Sequence, residues 1–449
     1  MTNRRLLALP LCAILVGAGL VACDGGTAEV VQTATETATP TRTAVGTTPT
    51  VGPTPSATSA ASPSATPADE EVGWGVATIE VATGNVASLY DGAEAILLPE
   101  ARNGGIWLDG ENGEAVRYTL GGTPDDRVAG WGVLEAPGSR TRSYFTEVDV
   151  EPSPMLVEQE GEELLFVEGT WIANRTFSPD GRWLAWLDWT DAERHLITVA
   201  DLERGTIEVA ATVSPCACDG FHYIEWSPSG RYLAYDDPSH DDASQRGVYI
   251  LEVGGPDEAK RAEGDQWIIG GWVEANDGEY LLTLDGRTPT LTPAGEGETI
   301  VLTDRGLAAG TLADLVVVFD GQQPERTMAI IDPVSGERIR ELRGTSDAVL
   351  TPDGIATAVI SRNDLTCTGV EVSHPTFEER LDCTAEDLRW SPDGRYLALI
   401  PQAQSAPVQI LDVTTGETTE VPHVGPRGTV PTWSDDSRYL VWVWGSSEL

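Results

Sequence analysis

Short apolar segments recur along most of the chain, and each is interrupted by a tight-turn signal. In "FSPDGRWLAWLD", from Phe177, and "WSPDGRYLALIP", from Trp390, a Ser-Pro-Asp-Gly sequence precedes a segment in which large apolar residues alternate with others. Proline fixes φ, aspartate bonds to nearby backbone, and glycine tolerates positive φ, so these residues favour a turn. Alternation with a period of two is typical of a buried β-strand. Each copy therefore predicts two antiparallel strands joined by a turn.

The turn signal returns at nearly regular distances. Further copies are "WSPSGRYLAYDD" from Trp226 and "WSDDSRYLVWVW" from Trp433, with weaker ones at Asn276 and Leu350. The glycine, or the serine in its place, stands at positions 181, 230, 278, 354, 394 and 437. The step from 278 to 354 is about twice the others and predicts an eroded copy within "LAAGTLADLVVVFD", residues 307–320. A fixed period indicates a repeat protein.

A second hairpin follows several of the turn signals. Examples are "ITVADLERGTIEVAA" around Gly205, "IIDPVSGERIREL" around Gly336 and "QILDVTTGETTEV" around Gly416. One repeat thus contains four short antiparallel strands, which is the composition of a propeller blade. The sequence predicts an all-β fold, a single β-propeller of about eight four-stranded blades, with seven to nine allowed because residues 92–170 are degenerate.

The two ends of the predicted domain are complementary. The last turn signal, at Trp433, is followed by one strand only, whereas the folded region begins with a hairpin, "ATIEVATGNVASLY", that has no turn signal before it. We expect this N-terminal hairpin to complete the C-terminal blade and close the ring, because closure removes exposed sheet edges.

The repeated line resembles the WD40-like PD40 repeats of TolB-type β-propellers. The clear match covers about residues 173–444, and the resemblance implies a propeller fold but no particular activity. TolB proteins have a small α/β domain ahead of the propeller, and this chain has a low-complexity segment there. The resemblance therefore does not extend to a role in colicin-type import machinery.

The first residues predict export. Arg4 and Arg5 precede an apolar run, and "LVAC" ends at Cys23. This ending resembles a bacterial lipobox, which implies lipidation at Cys23; an ordinary secretory signal or a short membrane anchor are the alternatives. Residues 24–71 are rich in Thr, Ala, Pro and Ser and predict an extended tether. The predicted organisation is a signal peptide at 1–22, a lipid-anchored tether at 23–71 and a propeller at 72–449, at the extracytoplasmic side of the cell membrane.

The net charge excludes one class of partner. The chain carries 71 acidic and 28 basic residues, a formal charge of -43. A chain this acidic repels phosphate backbones, so we expect no nucleic acid. The sequence contains no nucleophile elbow, zinc-protease signature, phosphate loop or dinucleotide fingerprint.

Four cysteines lie in the predicted propeller. Cys367 and Cys383 flank a segment whose turn falls near Pro375, which predicts a disulfide across a hairpin, with free thiols as the alternative. Cys216 and Cys218 lie close together in "SPCACDGFHY", where a tight disulfide or a soft-metal site are both open.

Three loops predict a binding face. Loops between blades and loops between the second and third strands of a blade open on the same face of a propeller. Candidate binding residues on these loops are Asp188, Trp189, His195, Asp219 and His222. Candidate cation ligands are Asp236, Asp237, His240, Asp241 and Asp242. Solvated surface loops of this composition are common, and that reading stays open beside a site for a divalent cation or a basic ligand.

The sequence favours a surface-anchored, non-enzymatic binding module for an extracytoplasmic protein, peptide or glycan. No catalytic residue and no cofactor are predicted, apart from the divalent cation left open above, and a monomer that touches the membrane through its lipid anchor alone is expected. The alternatives are a propeller hydrolase or lyase with a metal or dispersed catalytic residues at the channel mouth, and an assembly factor of the cell envelope. Tryptophans of the repeat line, such as Trp226, Trp390 and Trp433, are predicted to be core residues.

Overall fold

The computed structural model describes most of the predicted propeller. The described residues are 74–92, 103–109, 113–147, 152–191, 193–215, 222–237, 246–255, 260–262, 266–275, 278–285, 288–303, 306, 308–312, 314–320, 327–363, 366–382, 385–401, 406–422 and 431–444. Within them every regular element is a β-strand, and none is a helix long and apolar enough to cross a membrane. The signal and tether predicted for residues 1–71 lie outside the described residues and stay predictions.

The strands form nine antiparallel sheets, which we number as blades in chain order. The chain begins with the hairpin β1 (Trp74–Glu80) and β2 (Asn85–Gly92), which belongs to the ninth blade. Blade 1 is β3 (Gly105–Asp109), β4 (Ala115–Thr119) and β5 (Pro124–Val128); blade 2 is β6 (Trp131–Glu135), β7 (Thr141–Phe145), β8 (Met155–Gln159) and β9 (Glu162–Val167). Blade 3 is β10 (Ile172–Phe177), β11 (Trp183–Asp191), β12 (Arg194–Asp201) and β13 (Thr206–Val213); blade 4 is β14 (Ile224–Trp226), β15 (Tyr232–Asp237), β16 (Gly247–Glu252) and β17 (Lys260–Arg261).

The remaining blades follow the same order. Blade 5 is β18 (Gln266–Ala275), β19 (Gly278–Asp285), β20 (Thr288–Pro293) and β21 (Ile300–Val301); blade 6 is β22 (Ala308–Leu312), β23 (Leu315–Asp320), β24 (Thr327–Ile331) and β25 (Arg338–Arg343). Blade 7 is β26 (Thr345–Thr351), β27 (Gly354–Asn363), β28 (Thr366–His374) and β29 (Phe377–Leu381); blade 8 is β30 (Asp387–Trp390), β31 (Tyr396–Ile400), β32 (Val408–Asp412) and β33 (Glu417–Val421). Blade 9 is β34 (Thr432–Trp433), β35 (Tyr439–Trp444), β1 and β2.

Nine blades lie at the upper end of the predicted range, one more than the expected eight. Eight of the sheets have four strands, and blade 1 has three within the described residues. The eroded copy predicted at residues 307–320 is confirmed as the hairpin of β22 and β23. The degenerate region at residues 92–170 contains two blades, the first with β3, β4 and β5 and the second with β6, β7, β8 and β9.

The hydrophobic core is divided into nine clusters, one between each pair of neighbouring blades. In the cluster between blades 3 and 4, Leu187 and Ile197 pack against Trp226 and Leu233. The clusters on both sides of blade 9 complete the circle, because Ile79 packs against blade 8 and Val76 against blade 1. Apolar burial drives this packing, so each blade is stabilised from both sides.

The Ser-Pro-Asp-Gly sequence forms a repeated hydrogen-bond network at the turn between the first two strands of a blade. In blade 8 the Ser391 hydroxyl donates to Asp393 Oδ1 over 2.6 Å and accepts the backbone N–H of Tyr396 over 2.9 Å. Asp393 also accepts the N–H of Arg395, and Gly394 has a φ of +70°. The turn chemistry predicted from the sequence is therefore confirmed, and the buried serine is its centre.

The predicted core tryptophans are confirmed as buried residues, and two of them join neighbouring blades. Trp226 Nε1 donates to the Thr176 carbonyl on the inner strand of the preceding blade, and Trp433 Nε1 donates to the Arg389 carbonyl in the same way. The tryptophan thus fixes the spacing of adjacent inner strands while its ring fills the space between sheets.

The ring is closed as predicted, by pairing between the two ends of the domain. Strand β1 pairs with β35 over six residue pairs from Gly75↔Trp444 to Glu80↔Tyr439. Arg438 extends this closure with an ion pair to Glu80 over 3.3 Å, the same link that Arg395 makes to Asp412 inside blade 8.

Candidate functional site

The strand order gives the propeller two distinct faces. Turns between the first and second and between the third and fourth strands lie on one face, which contains Ser391 and Gly416. The loops between blades and those between second and third strands lie on the other, which we call the loop face. On blades 2 to 4 the loop face includes Trp131, Trp171, Trp189, His222 and Tyr223, each at the start of an inner strand or the end of a second strand.

His222 is the centre of a buried network on the loop face between blades 3 and 4. Its Nδ1 lies 3.0 Å from the backbone oxygen of Asp236 and its Nε2 lies 2.9 Å from that of Ser214. A neutral imidazole has one N–H, so only the doubly protonated ring donates to both carbonyls. The carboxylate of Asp236, 3.4 Å from Nδ1, favours the same charged form.

The electrostatics agree with this geometry. Burial by itself lowers the pKa of His222, but the hydrogen bond and negative charge of Asp236, with a smaller contribution from Asp237, outweigh it and raise the pKa above its ordinary value. The ring of His195 lies edge-on at 5.6 Å, and its pKa is lowered by burial and by the charge of His222. Asp188 and Asp191 partly oppose that decrease. Of the two rings, His222 is therefore the one that binds a proton more readily.

The same network fixes Tyr223, which lies beside His222 on the surface. Its backbone N–H donates to Asp236 Oδ1 over 2.8 Å, and the carbonyl of His222 accepts the side-chain amide of Asn174 over 2.6 Å. The Tyr223 hydroxyl donates to Glu225 Oε2 over 3.1 Å. The ring is nonetheless 42% exposed. An aromatic side chain held in one position and left open to solvent is suited to contact a partner.

A pair of tryptophan rings in contact lies on blade 3. The rings of Trp171 and Trp189 are 5.5 Å apart in an edge-to-face arrangement. The N–H of Trp189 donates to the Trp171 carbonyl, and the N–H of Trp171 donates to Thr190 Oγ1 over 2.7 Å. Trp189 is 41% exposed.

The inner strands carry titratable groups with shifted pKa values. Burial raises the pKa of Glu225 to about 7, although the Tyr223 hydroxyl bond opposes the increase. On blade 7, burial raises the pKa of Asp347 to about 6, against the backbone N–H of Trp390 and the charge of Arg389. Each carboxyl gains and loses a proton near neutral pH, but the two lie on blades 4 and 7 and do not form one catalytic pair.

Another charged contact crosses three blades. Arg175 on β10 donates to the Gly132 carbonyl on β6 and to Ser143 Oγ over 3.2 Å, and it lies over the ring of Phe145. The N–H of Gly132 in turn donates to Asp109 over 2.9 Å. Burial lowers the pKa of Arg175 to about 10, with Asp109 acting against the decrease. This contact makes a structural link between blades 1, 2 and 3.

The structure brings together part of the predicted binding set. His195, His222, Asp236 and Asp237 converge at the boundary of blades 3 and 4, and Asp188 and Trp189 lie at the end of β11 on the same face. Asp219, His240, Asp241 and Asp242 lie outside the described residues. Among the residues that are described, no three His, Cys, Asp or Glu side chains lie close enough to hold a metal ion, so the cation site stays a prediction.

The cysteine predictions also fall largely outside the described part of the chain. Cys216, Cys218 and Cys383 are not described, and of Cys367 only the backbone is. The predicted hairpin itself is confirmed, since β28 and β29 pair up to His374↔Phe377 around Pro375. The disulfides stay predictions.

Sequence analysis missed Trp171, Asn174, Tyr223 and Glu225. One signal was available for two of them, because Trp171 and Tyr223 each come directly before an inner strand. The contribution of Asn174 had no such signal, since its contact is made across blades to a residue 48 positions away.

Comparison with known proteins shows a similarity in fold. No protein-family model matches the chain, and no curated protein matches it by sequence. A eukaryotic initiation factor structure is 14% identical, with 79% of this chain and 98% of that chain covered, at a TM-score of 0.50. AztD from Citrobacter koseri is 13% identical, with 85% and 100% covered, at a TM-score of 0.40. A prolyl endopeptidase is 13% identical at a TM-score of 0.39, and the match covers 77% of this chain but only 54% of the endopeptidase. At such identities the similarity concerns the fold alone, a β-propeller, and this fold hosts many unrelated functions.

Proposed function

We propose that this protein is a non-enzymatic binding module, lipid-anchored at Cys23 on the extracytoplasmic side of the cell membrane, which binds a protein partner through the loop face of blades 2 to 4. The observation that carries the proposal is the exposure of two fixed aromatic side chains, Trp189 and Tyr223, on that face.

The distribution of exposed apolar side chains supports this choice of face. Among the residues that the structure describes, the other large hydrophobic residues that are exposed lie on outer strands or in one turn of the opposite face; they are Val86, Phe166, Ile207, Val209, Val301, Val334 and Ile339. Outer strands of propellers are solvent-facing by construction, so residues there need no ligand to explain them. The exposure of Trp189 and Tyr223 has no such explanation, because neither residue lies on an outer strand. Aromatic residues contribute much of the binding energy at protein interfaces.

Site-specific photocrosslinking in the cell envelope tests the proposal. The full chain is produced with p-benzoylphenylalanine at position 189, 223 or 166, the last serving as the control on outer strand β9. We expect a discrete crosslinked adduct from positions 189 and 223 and none from 166. Adducts of equal yield from all three positions, or none from 189 and 223, would contradict a binding site on this face.

A further inference from the structure

We propose that the loop face of blades 2 to 4 recognises a lysine- or arginine-rich segment of its protein partner. This inference rests on the proposed function and adds the chemical class of the partner. It is carried by the charges that surround the exposed aromatic rings.

The described side chains around Trp171 and Trp189 are mainly acidic. Glu168 lies in the loop that leads to Trp171, Asp191 is the last residue of β11, and Glu193 lies in the turn that follows this strand; all three are exposed. Asp188 is half-buried beside them. Two arginines, Arg194 and Arg246, are the basic residues among the described positions of this part of the face. The local charge is therefore negative, as is that of the whole chain.

Both the aromatic rings and the carboxylates of such a surface attract a cation. A guanidinium or ammonium group is attracted to the face of an indole or phenol ring, and it pairs with nearby carboxylates. The protein itself uses this chemistry in its turns, where Arg182 lies 4.7 Å from the ring centroid of Trp183 and pairs with Asp201 over 2.8 Å. Negative charge also accelerates the encounter with a basic partner.

The rigidity of the rings favours binding as well. Trp189 is held by Trp171, through the edge-to-face ring contact and the bond from its N–H to the Trp171 carbonyl. Tyr223 is held by Asp236 and Glu225. Side chains that are already ordered lose little conformational entropy on binding. Anionic ligands are disfavoured by the carboxylates, and a neutral glycan gains nothing from their charge, so a basic polypeptide fits this surface best.

The test uses the full chain and a fluorescent peptide of alternating arginine and glycine, at about 0.15 M NaCl so that general attraction is screened. We expect Trp189→Ala combined with Tyr223→Ala to weaken peptide binding at least about tenfold, and Phe166→Ala to change it less than about twofold. Chitohexaose serves as a neutral glycan probe and is expected not to bind.

A pair of variants with the same change of charge tests the inference separately. This test does not require the double variant Trp189→Ala with Tyr223→Ala to fold. Glu193→Arg is expected to weaken peptide binding at least about tenfold, and Glu420→Arg, the same change on the exposed outer strand β33, less than about twofold. Equal losses for the two variants would show that the whole acidic surface attracts the peptide and would overturn the inference. Chitohexaose binding that depends on Trp189, without peptide binding, would also overturn it.

The two proposals fail separately. If photocrosslinking at positions 189 and 223 succeeds and the cationic peptide does not bind, the binding function stands and the inferred partner class falls. If no adduct forms, the binding function itself falls.

Discussion

At the scale of single residues, His222 couples the loop face to pH. Its ring joins the Ser214 carbonyl, at the end of blade 3, to the Asp236 carbonyl in blade 4, and both contacts require the protonated form. The titratable groups that face it are His195 on β12 and Asp236 and Asp237 on β15. Loss of the proton removes one of the two hydrogen bonds and leaves a carbonyl without its donor.

The first prediction concerns the pH dependence of stability. Because the folded pKa of His222 is raised above the ordinary value of 6.5, its proton-linked stabilisation is fully present below about pH 6.5 and is lost as pH rises through the folded pKa. We expect His222→Ala to reduce stability by about 1–3 kcal/mol at pH 5 and by less at pH 9. Thermal unfolding monitored by circular dichroism across this range measures the difference.

A histidine in another blade provides the control for this experiment. Burial lowers the pKa of His374, so its linkage to stability has the opposite sign and is lost as pH falls. We therefore expect the loss of stability in His374→Ala not to decrease toward high pH, in contrast to the loss in His222→Ala. A constant difference between His222→Ala and the wild type from pH 5 to 9 would show that the ring acts by packing alone.

At the scale of elements, the serine of each turn contributes according to its partner. Ser391 donates to the carboxylate of Asp393 over 2.6 Å, whereas Ser227 lies 3.2 Å from the hydroxyl of Ser229. Both serines also accept a backbone N–H from the strand that follows, Tyr396 in one case and Tyr232 in the other. Hydrogen bonds to a charged group are about twice as strong as those between neutral groups.

The second prediction follows from that comparison. Ser391→Ala is expected to destabilise the protein by about 1–3 kcal/mol, and Ser227→Ala by about half as much, because the first loses a bond to a carboxylate and the second does not. Chemical denaturation of the two variants under identical conditions measures the difference. A larger loss for Ser227→Ala would contradict this account of the turn.

These turns also explain what could be predicted from the sequence. Where the serine and the glycine are both present, with an aspartate between them in blades 3 and 8 and a serine in blade 4, the local chemistry specifies the turn, and these three blades were predicted correctly. In blade 2 an alanine, Ala136, occupies the serine position, and Ser139 accepts the N–H of Thr141 instead. The turn is kept while its sequence signal is lost, which is why the sequence left the blade count open between seven and nine.

The candidate site was less predictable for a different physical reason. The loops of blades 3 and 4 could be assigned to one face from strand order, and His195, His222 and Asp236 do meet there. The exposure of Trp189 and Tyr223, and the contact of Asn174 with His222, depend on how neighbouring blades are spaced. That spacing is set by the core clusters and the tryptophan bonds between inner strands, which no local sequence pattern records.

At the scale of the whole molecule, stability depends on how the ring is closed. Within a blade, most strands are joined by short turns, but no turn joins β1 to β35, and these two strands are held together mainly by pairing and packing. The Arg438–Glu80 ion pair is largely exposed and contributes about 0–1 kcal/mol. Closure therefore depends on backbone pairing and on buried residues such as Ile79.

The third prediction separates closure from ordinary packing. Ile79 on β1 and Leu411 on β32 occupy equivalent positions, each directly before the carboxylate that pairs with the turn arginine, and both are fully buried. Replacement of either by alanine costs about 2–5 kcal/mol. We expect Ile79→Ala to unfold faster than Leu411→Ala, because β1 is the strand from which the ring opens, and unfolding rates in denaturant test this. Equal rates would contradict a preferred opening point.

Closure by the two ends also sets an order of events during synthesis. Glu80 and Arg438 are 358 positions apart, so the first hairpin of the propeller leaves the ribosome long before the strand it must pair with. At typical rates of translation the interval is roughly 20–70 s. Throughout it, β1 has an unpaired edge, and the blades completed by then form an open arc. A chain that terminates before residue 439 can fold most of its blades and still never become a ring.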